Sequence, residues 1–120
     1  MAARWYWKAA DQGYASAQLN LGLMYRQGLG LQQDYKVALF LFRKAAEQGQ
    51  ARAQFNLGEM YFNGEGMQVD MVKAHKWLKL AAASGEADAE AKLKAAEEKM
   101  TAKQISEADV LVQDWLAKRK

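Results

Sequence analysis

The sequence predicts an all-α chain: an α/α solenoid, or superhelix, of antiparallel helix pairs with a C-terminal capping helix. Three observations predict it. Residues 51–66 repeat residues 15–30 at an offset of 36, within the range of periods that marks arrays of stacked helix pairs. Between residues 13–48 and 49–84, 16 of 36 positions are identical, far more than two unrelated helices share. The 120 residues contain no proline, so no helix is interrupted by a ring that clashes with the preceding turn.

Residues 2–12 read as a helix that begins part-way through a repeat. Its Trp5, Ala9 and Ala10 align with Leu41, Ala45 and Ala46, then with Trp77, Ala81 and Ala82. Gly13, Gly49 and Gly85 follow these three helices and supply the left-handed residue that closes a last turn. The first helix of each pair covers about residues 15–27 and 51–63. Ala17, Leu21, Met24 and Tyr25 share one arc of the wheel, as do Ala53, Leu57, Met60 and Tyr61. Gly22 and Gly58 sit beside that arc. A glycine inside a helix costs about 1 kcal/mol relative to alanine, so its recurrence predicts close backbone contact with the partner helix.

The second helices run from about 34 to 48 and from 70 to 84, each opened by an aspartate N-cap, Asp34 and Asp70. After Gly85 the pattern decays. Ala87, Ala89 and Leu93 keep the core spacing, but Lys94 stands at the glycine position and Glu97 at the tyrosine position, which suits a more polar helix ending the stack. The acids from Glu86 to Glu90 read as N-terminal charges that complement the helix dipole. Thr101 and Gln104 form a capping box for a last helix, whose Ile105, Ala108, Leu111, Val112, Trp115 and Leu116 fold back over the end of the core. One repeat domain is expected over 1–120: a partial repeat with a second helix only (1–13), two repeats (14–49 and 50–85), and a polar half-repeat with the capping helix (86–120).

Composition narrows the function. An apolar share of 51% excludes a disordered chain. The net charge of +3 comes largely from Lys118, Arg119 and Lys120, read as a solvated tail, while acids and bases alternate elsewhere. Without a basic stripe, no nucleic-acid partner is expected. There is no cysteine and one histidine, His75, so no disulfide, no metal site and no thiol nucleophile is expected. The Gly-x-Gly loops at Gly28 and Gly64 lack the preceding strand and third glycine of a dinucleotide fingerprint, so no cofactor is expected either. No stretch of about 18 apolar residues would insert in a membrane. The N-terminal residues lack the apolar middle of a signal peptide. They resemble the interior of a helix, so the chain is expected to be cut from a longer protein, and its compartment stays open.

These residues resemble a known family. Leu21, Gly22 and Tyr25, with Leu57, Gly58 and Tyr61, form the Leu-Gly-x-x-Tyr pattern of tetratricopeptide repeats. The Gly-x-Gly loop, the aspartate after it, and the Ala-Ala-x-x-Gly ending (Ala45, Ala46, Gly49; Ala81, Ala82, Gly85) are similar to the Sel-one-like repeat (SLR) family. The resemblance spans roughly residues 5–93. It implies right-handed stacks whose first helices line a concave face, and an adaptor or scaffold role, often in bacterial signalling, envelope or host-interaction settings.

On that reading a protein or peptide partner would meet Ser16, Leu19, Leu23, Arg26 and Gln27 in the first repeat. In the second it would meet Arg52, Phe55, Glu59, Phe62 and Asn63. Apolar anchors with a few charges suit an amphipathic segment or a helix. Phe55 and Leu19 can instead pack between neighbouring repeats, and Asn20 and Asn56 are expected to hydrogen-bond between repeats, with contact to a bound peptide backbone as the alternative. Trp5, Tyr6 and Trp7 form an aromatic cluster expected to mediate self-association, with burial against residues 15–30 as the alternative. Cysteine-rich relatives have been associated with β-lactam binding or hydrolysis. This chain has neither the cysteines nor a Ser-x-x-Lys motif, so no enzyme is expected. A purely structural spacer or dimerisation segment is the remaining alternative.

Overall fold

Seven helices occupy the computed structural model, which describes residues 2–119; Met1 and Lys120, the last residue of the basic tail, lie outside the described residues. They are α1 (Ala2–Asp11), α2 (Ala15–Gln27), α3 (Tyr35–Glu47), α4 (Ala51–Asn63), α5 (Met71–Ala83), α6 (Ala89–Glu98) and α7 (Ala102–Lys118). Among the described residues there is no strand. The fold is an α/α solenoid, with α2, α4 and α6 as first helices and α1, α3 and α5 as second helices. Its extents of 47 × 31 × 22 Å are those of a stack grown along one axis.

Local chemistry sets the helix ends where the sequence puts them. Asp34 Oδ1 accepts from the Lys36 and Val37 amides at 3.0 and 3.2 Å, and Asp70 Oδ1 accepts from Lys73 at 3.0 Å. Thr101 and Gln104 make the reciprocal capping box of α7. Gly28 and Gly64 close α2 and α4 at φ of 71° and 72°, a region that side chains rarely adopt.

The two helical glycines let a helix pair close. A methyl group at Gly22 would lie 2.7 Å from the Phe42 ring, and one at Gly58 would lie 2.8 Å from Leu78 Cγ and 3.3 Å from the Ala74 carbonyl oxygen. The approaching atoms are mainly side chains of the second helix, with backbone only at Ala74. Phe42 and Leu78 are wholly buried as a result.

Polar links recur at the repeat spacing. Gln18 Nε2 donates to the Ala10 carbonyl at 3.3 Å, and Gln54 Nε2 to the Ala46 carbonyl at 3.2 Å. Both amides are buried, and each ties a first helix to the C-terminus of the second helix before it. Trp7 Nε1 donates to the Tyr25 hydroxyl at 3.0 Å; in the next repeat Arg43 donates to the Tyr61 hydroxyl at 2.9 Å.

The C-terminal end departs from the sequence reading in three ways. Ala87, expected at a core position, is exposed and precedes α6, which starts at Ala89. Glu86 and Asp88 accept from Arg52 at 2.7 and 3.3 Å, so these acids bridge repeats and only Glu90 sits in the first turn of α6. Arg119 is no free tail. It donates to the Glu47 and Gln48 carbonyls at 2.8 and 3.2 Å, where the end of α3 leaves acceptors without intrahelical partners, and its guanidinium lies 4.6 Å from the Trp115 ring centre. Helix α7 thus runs back along α5, with Trp115 edge-on to Trp77 at 6.0 Å and Lys79 donating to Asp109 at 2.6 Å.

Candidate functional site

The face formed by the outer positions of α2 and α4 is where the sequence predicts a partner. Its charges are paired across the repeat boundary. Arg26 on α2 donates to Asn56 Oδ1 at 2.8 Å, Glu59 Oε1 at 3.2 Å and Glu65 Oε1 at 2.7 Å. Burial pulls the Arg26 pKa down, but the hydrogen bonds and charges of Glu65 and Glu59 outweigh it and hold the guanidinium above its ordinary range. Lys92 on α6 approaches Glu59 at 3.8 Å and lies 4.8 Å over the Phe62 ring, which extends the ladder to a third helix.

The apolar side chains on this face divide. Phe55 is 6% exposed and belongs to the main core, with the Arg52 guanidinium 5.0 Å above its ring. Leu19, Leu23 and Phe62 are partly buried, packed on that core with an edge open to solvent. Ser16, Gln27, Arg52 and Asn63 are exposed, and Asn63 Nδ2 donates to Glu65 at 3.4 Å. The face therefore presents three half-open apolar side chains beside a bound network of charges.

Asn56 bonds between repeats, whereas Asn20 is exposed and makes no hydrogen bond among the described residues. Of the aromatic cluster, Trp7 and Tyr6 pack against the N-terminal core; Trp5 is 71% exposed. An open cleft of about 650 Å³ lies between α1 and α2, lined by Trp5, Tyr6, Ala9, Ser16 and Asn20 among others.

His75 is wholly buried and donates from Nε2 to Glu97 Oε2 at 2.9 Å, linking α5 to α6. This pair escaped the sequence reading, although a signal was there. His75 replaces Leu39 and Glu97 replaces Tyr61 at the repeat spacing, so two departures from the repeat face one another. Gln18 and Gln54 were equally visible as identical amides at the margin of an apolar arc. Among the described residues, no three His, Cys, Asp or Glu side chains cluster as a metal would need, and no helix is long and apolar enough to cross a membrane.

The same architecture is found in solved proteins. The chain superposes on c5321, a protective antigen present in uropathogenic Escherichia coli strains and displaying an SLR fold, with a TM-score of 0.92 and 38% identity over 96% of this chain. It superposes on a Sel1 repeat protein from Oxalobacter formigenes with a TM-score of 0.72 and 41% identity over 76% of this chain. It spans only 25% of the first protein and 37% of the second. No curated protein matches it in sequence. The Sel1 repeat model matches residues 1–14, 15–50 and 51–86, which is more than two thirds of the chain. The chain belongs to the Sel1 repeat family.

Proposed function

We propose that this single repeat domain is a non-enzymatic adaptor or scaffold that holds a peptide or helix of a partner protein on its first-helix face, the concave one. Sel1 repeats generally mediate protein interactions, and the proposal places that role on Leu19, Leu23 and Phe62 as anchors with Ser16, Gln27 and Asn63 at the rim. The observation that carries it is the internal pairing of Arg26 with Glu59 and of Arg52 with Glu86. With those charges already bridging repeats, a ligand meets apolar edges without stranding an ion, and a few buried apolar anchors supply most interface energy. Phe55 and Arg26 contribute to this site by holding its floor.

The test replaces Leu23 and Phe62 together by aspartate and compares capture of partners from the native lysate with that of the unaltered protein. Capture is expected to fall at least about tenfold with helicity unchanged by circular dichroism, as loss of two anchors implies. Equal capture with both side chains replaced would reject this face.

A further inference from the structure

The cations of this molecule behave differently on its two faces. On the first-helix face Arg26, Arg52 and Lys92 are paired with acids across the repeat boundaries. On the second-helix flank Arg43, Lys73, Lys76 and Lys118 have no acid within salt-bridge reach among the described residues. These four line two adjoining clefts of about 410 and 270 Å³, which share Glu47, Lys76 and Trp77 and so form one groove. Its walls are α3, α5 and α7, so it runs along the flank of the stack and not across an end.

The repeat does not call for these charges. At the repeat spacing Lys73 and Lys76 stand where the first repeat has Val37 and Phe40, and Arg43 stands where the partial repeat has Trp7. Three departures from the repeat thus meet in one groove. Arg43 Nη2 donates to the Tyr61 hydroxyl at 2.9 Å, and Lys73 lies 5.7 Å from the centre of the same ring, so one buried tyrosine gathers both. Lys76 lies 4.4 Å from the Trp77 ring centre. Burial pulls the Lys76 pKa below its ordinary range; Glu47 opposes this, Lys118 and Lys73 add to it, and Asp114 opposes it. Cations held this close repel one another, and a bound anion relieves the repulsion.

We propose that this groove binds an acidic segment of another protein, with the carboxylates of that segment on Arg43, Lys73 and Lys76. The distribution of charge favours a peptide over a nucleic acid. Glu47 lines both clefts, and a strand with a phosphate on each nucleotide would set negative charge against it. A peptide can space its acids to meet the cations, while apolar side chains between them rest on the half-buried Leu111 and Trp115.

The test uses the full chain and a fluorescein-labelled peptide, Glu-Glu-Leu-Glu-Glu-Leu-Glu-Glu. Binding is read by anisotropy at low salt, and circular dichroism confirms that each variant is folded. Saturable binding is expected. It should weaken at least about tenfold in the Lys73→Gln, Lys76→Gln double variant, as loss of two charge-assisted hydrogen bonds implies. Arginine at both positions keeps the charge and should hold binding within about threefold. Lys94→Gln with Lys99→Gln lowers the net charge equally, but these exposed lysines line neither cleft, so binding should weaken less than about twofold. No saturable binding, or a loss at Lys73 and Lys76 no greater than at Lys94 and Lys99, would overturn the proposal. So would tighter binding of a single-stranded oligonucleotide or of phosphatidylserine vesicles that depends on Lys73 and Lys76, because the ligand would then be a phosphate.

Discussion

At the scale of single residues, stability at the C-terminal end turns on a polar pair inside an apolar boundary. His75 is fully buried, and its Nδ1 has no hydrogen-bond partner among the described residues, so among them Glu97 supplies the only bond its ring makes. Glu97 itself is 41% exposed on its side chain and can return to water. The two ends of the bond are therefore unequal. Glu97→Ala strands a buried imidazole with both nitrogens unpaired, at a cost of about 1–3 kcal/mol. His75→Leu, which restores the residue type found at Leu39, removes the bond but leaves an apolar side chain in an apolar site, and should cost less. Urea denaturation midpoints at unchanged slope measure both. If His75→Leu proves the more damaging variant, the imidazole must hold more than Glu97.

At the scale of elements, local signals were legible in the sequence and inter-helix destinations were not. Helix limits could be read because glycine closures and aspartate caps act within one turn of the residue that makes them, as Asp34, Asp70 and Gly28 do. The face of α4 could be read only in part. A helical wheel puts Phe55 opposite Leu57, but the neighbouring repeat covers it, and nothing within a single helix reports that cover. The same holds for Arg26, whose three acceptors lie 30 to 39 residues away.

Helix α7 was foreseen as a cap, while its path was not. Lys94 at the glycine position keeps a second helix from approaching α6 as α3 approaches α2, and α7 lies on α5 instead. Two of the contacts that hold it there differ in kind. Arg119 satisfies exposed carbonyls that water can also satisfy, so Arg119→Ala should cost below about 1 kcal/mol. Trp115 packs edge-on against Trp77, which is buried, so Trp115→Ala should cost about 1–3 kcal/mol and shift the remaining tryptophan emission to the red. Thermal melts rank the two. The reverse ranking would mean that α7 is held by its tip and not by its apolar face.

For the whole molecule, the stack makes stability unequal along its length. In a linear array each helix pair gains only from its neighbours, so the middle is held from both sides and an end from one. Helix α4 lies between α3 and α5 and also touches α6; its Leu57 and Met60 are fully buried. At the other end of the described residues α7 packs along α5. Helix α1 has α2 as its main neighbour, buries Ala10 alone among its described side chains, and leaves Trp5 in the open cleft. Partial opening should therefore begin at α1 and stop at the Gly22–Phe42 contact, where α2 and α3 interlock. Amide hydrogen exchange followed residue by residue gives the direct measurement, since local opening free energies range from near zero to the global value. Amides in the middle of α1 are expected to exchange on the order of a hundredfold faster than those of α4 and α5, with α2 between them. Protection of α1 within a factor of about three of α4 would instead mean that the seven helices open as one cooperative unit, with the single neighbouring helix of α1 holding it as firmly as the two that flank α4.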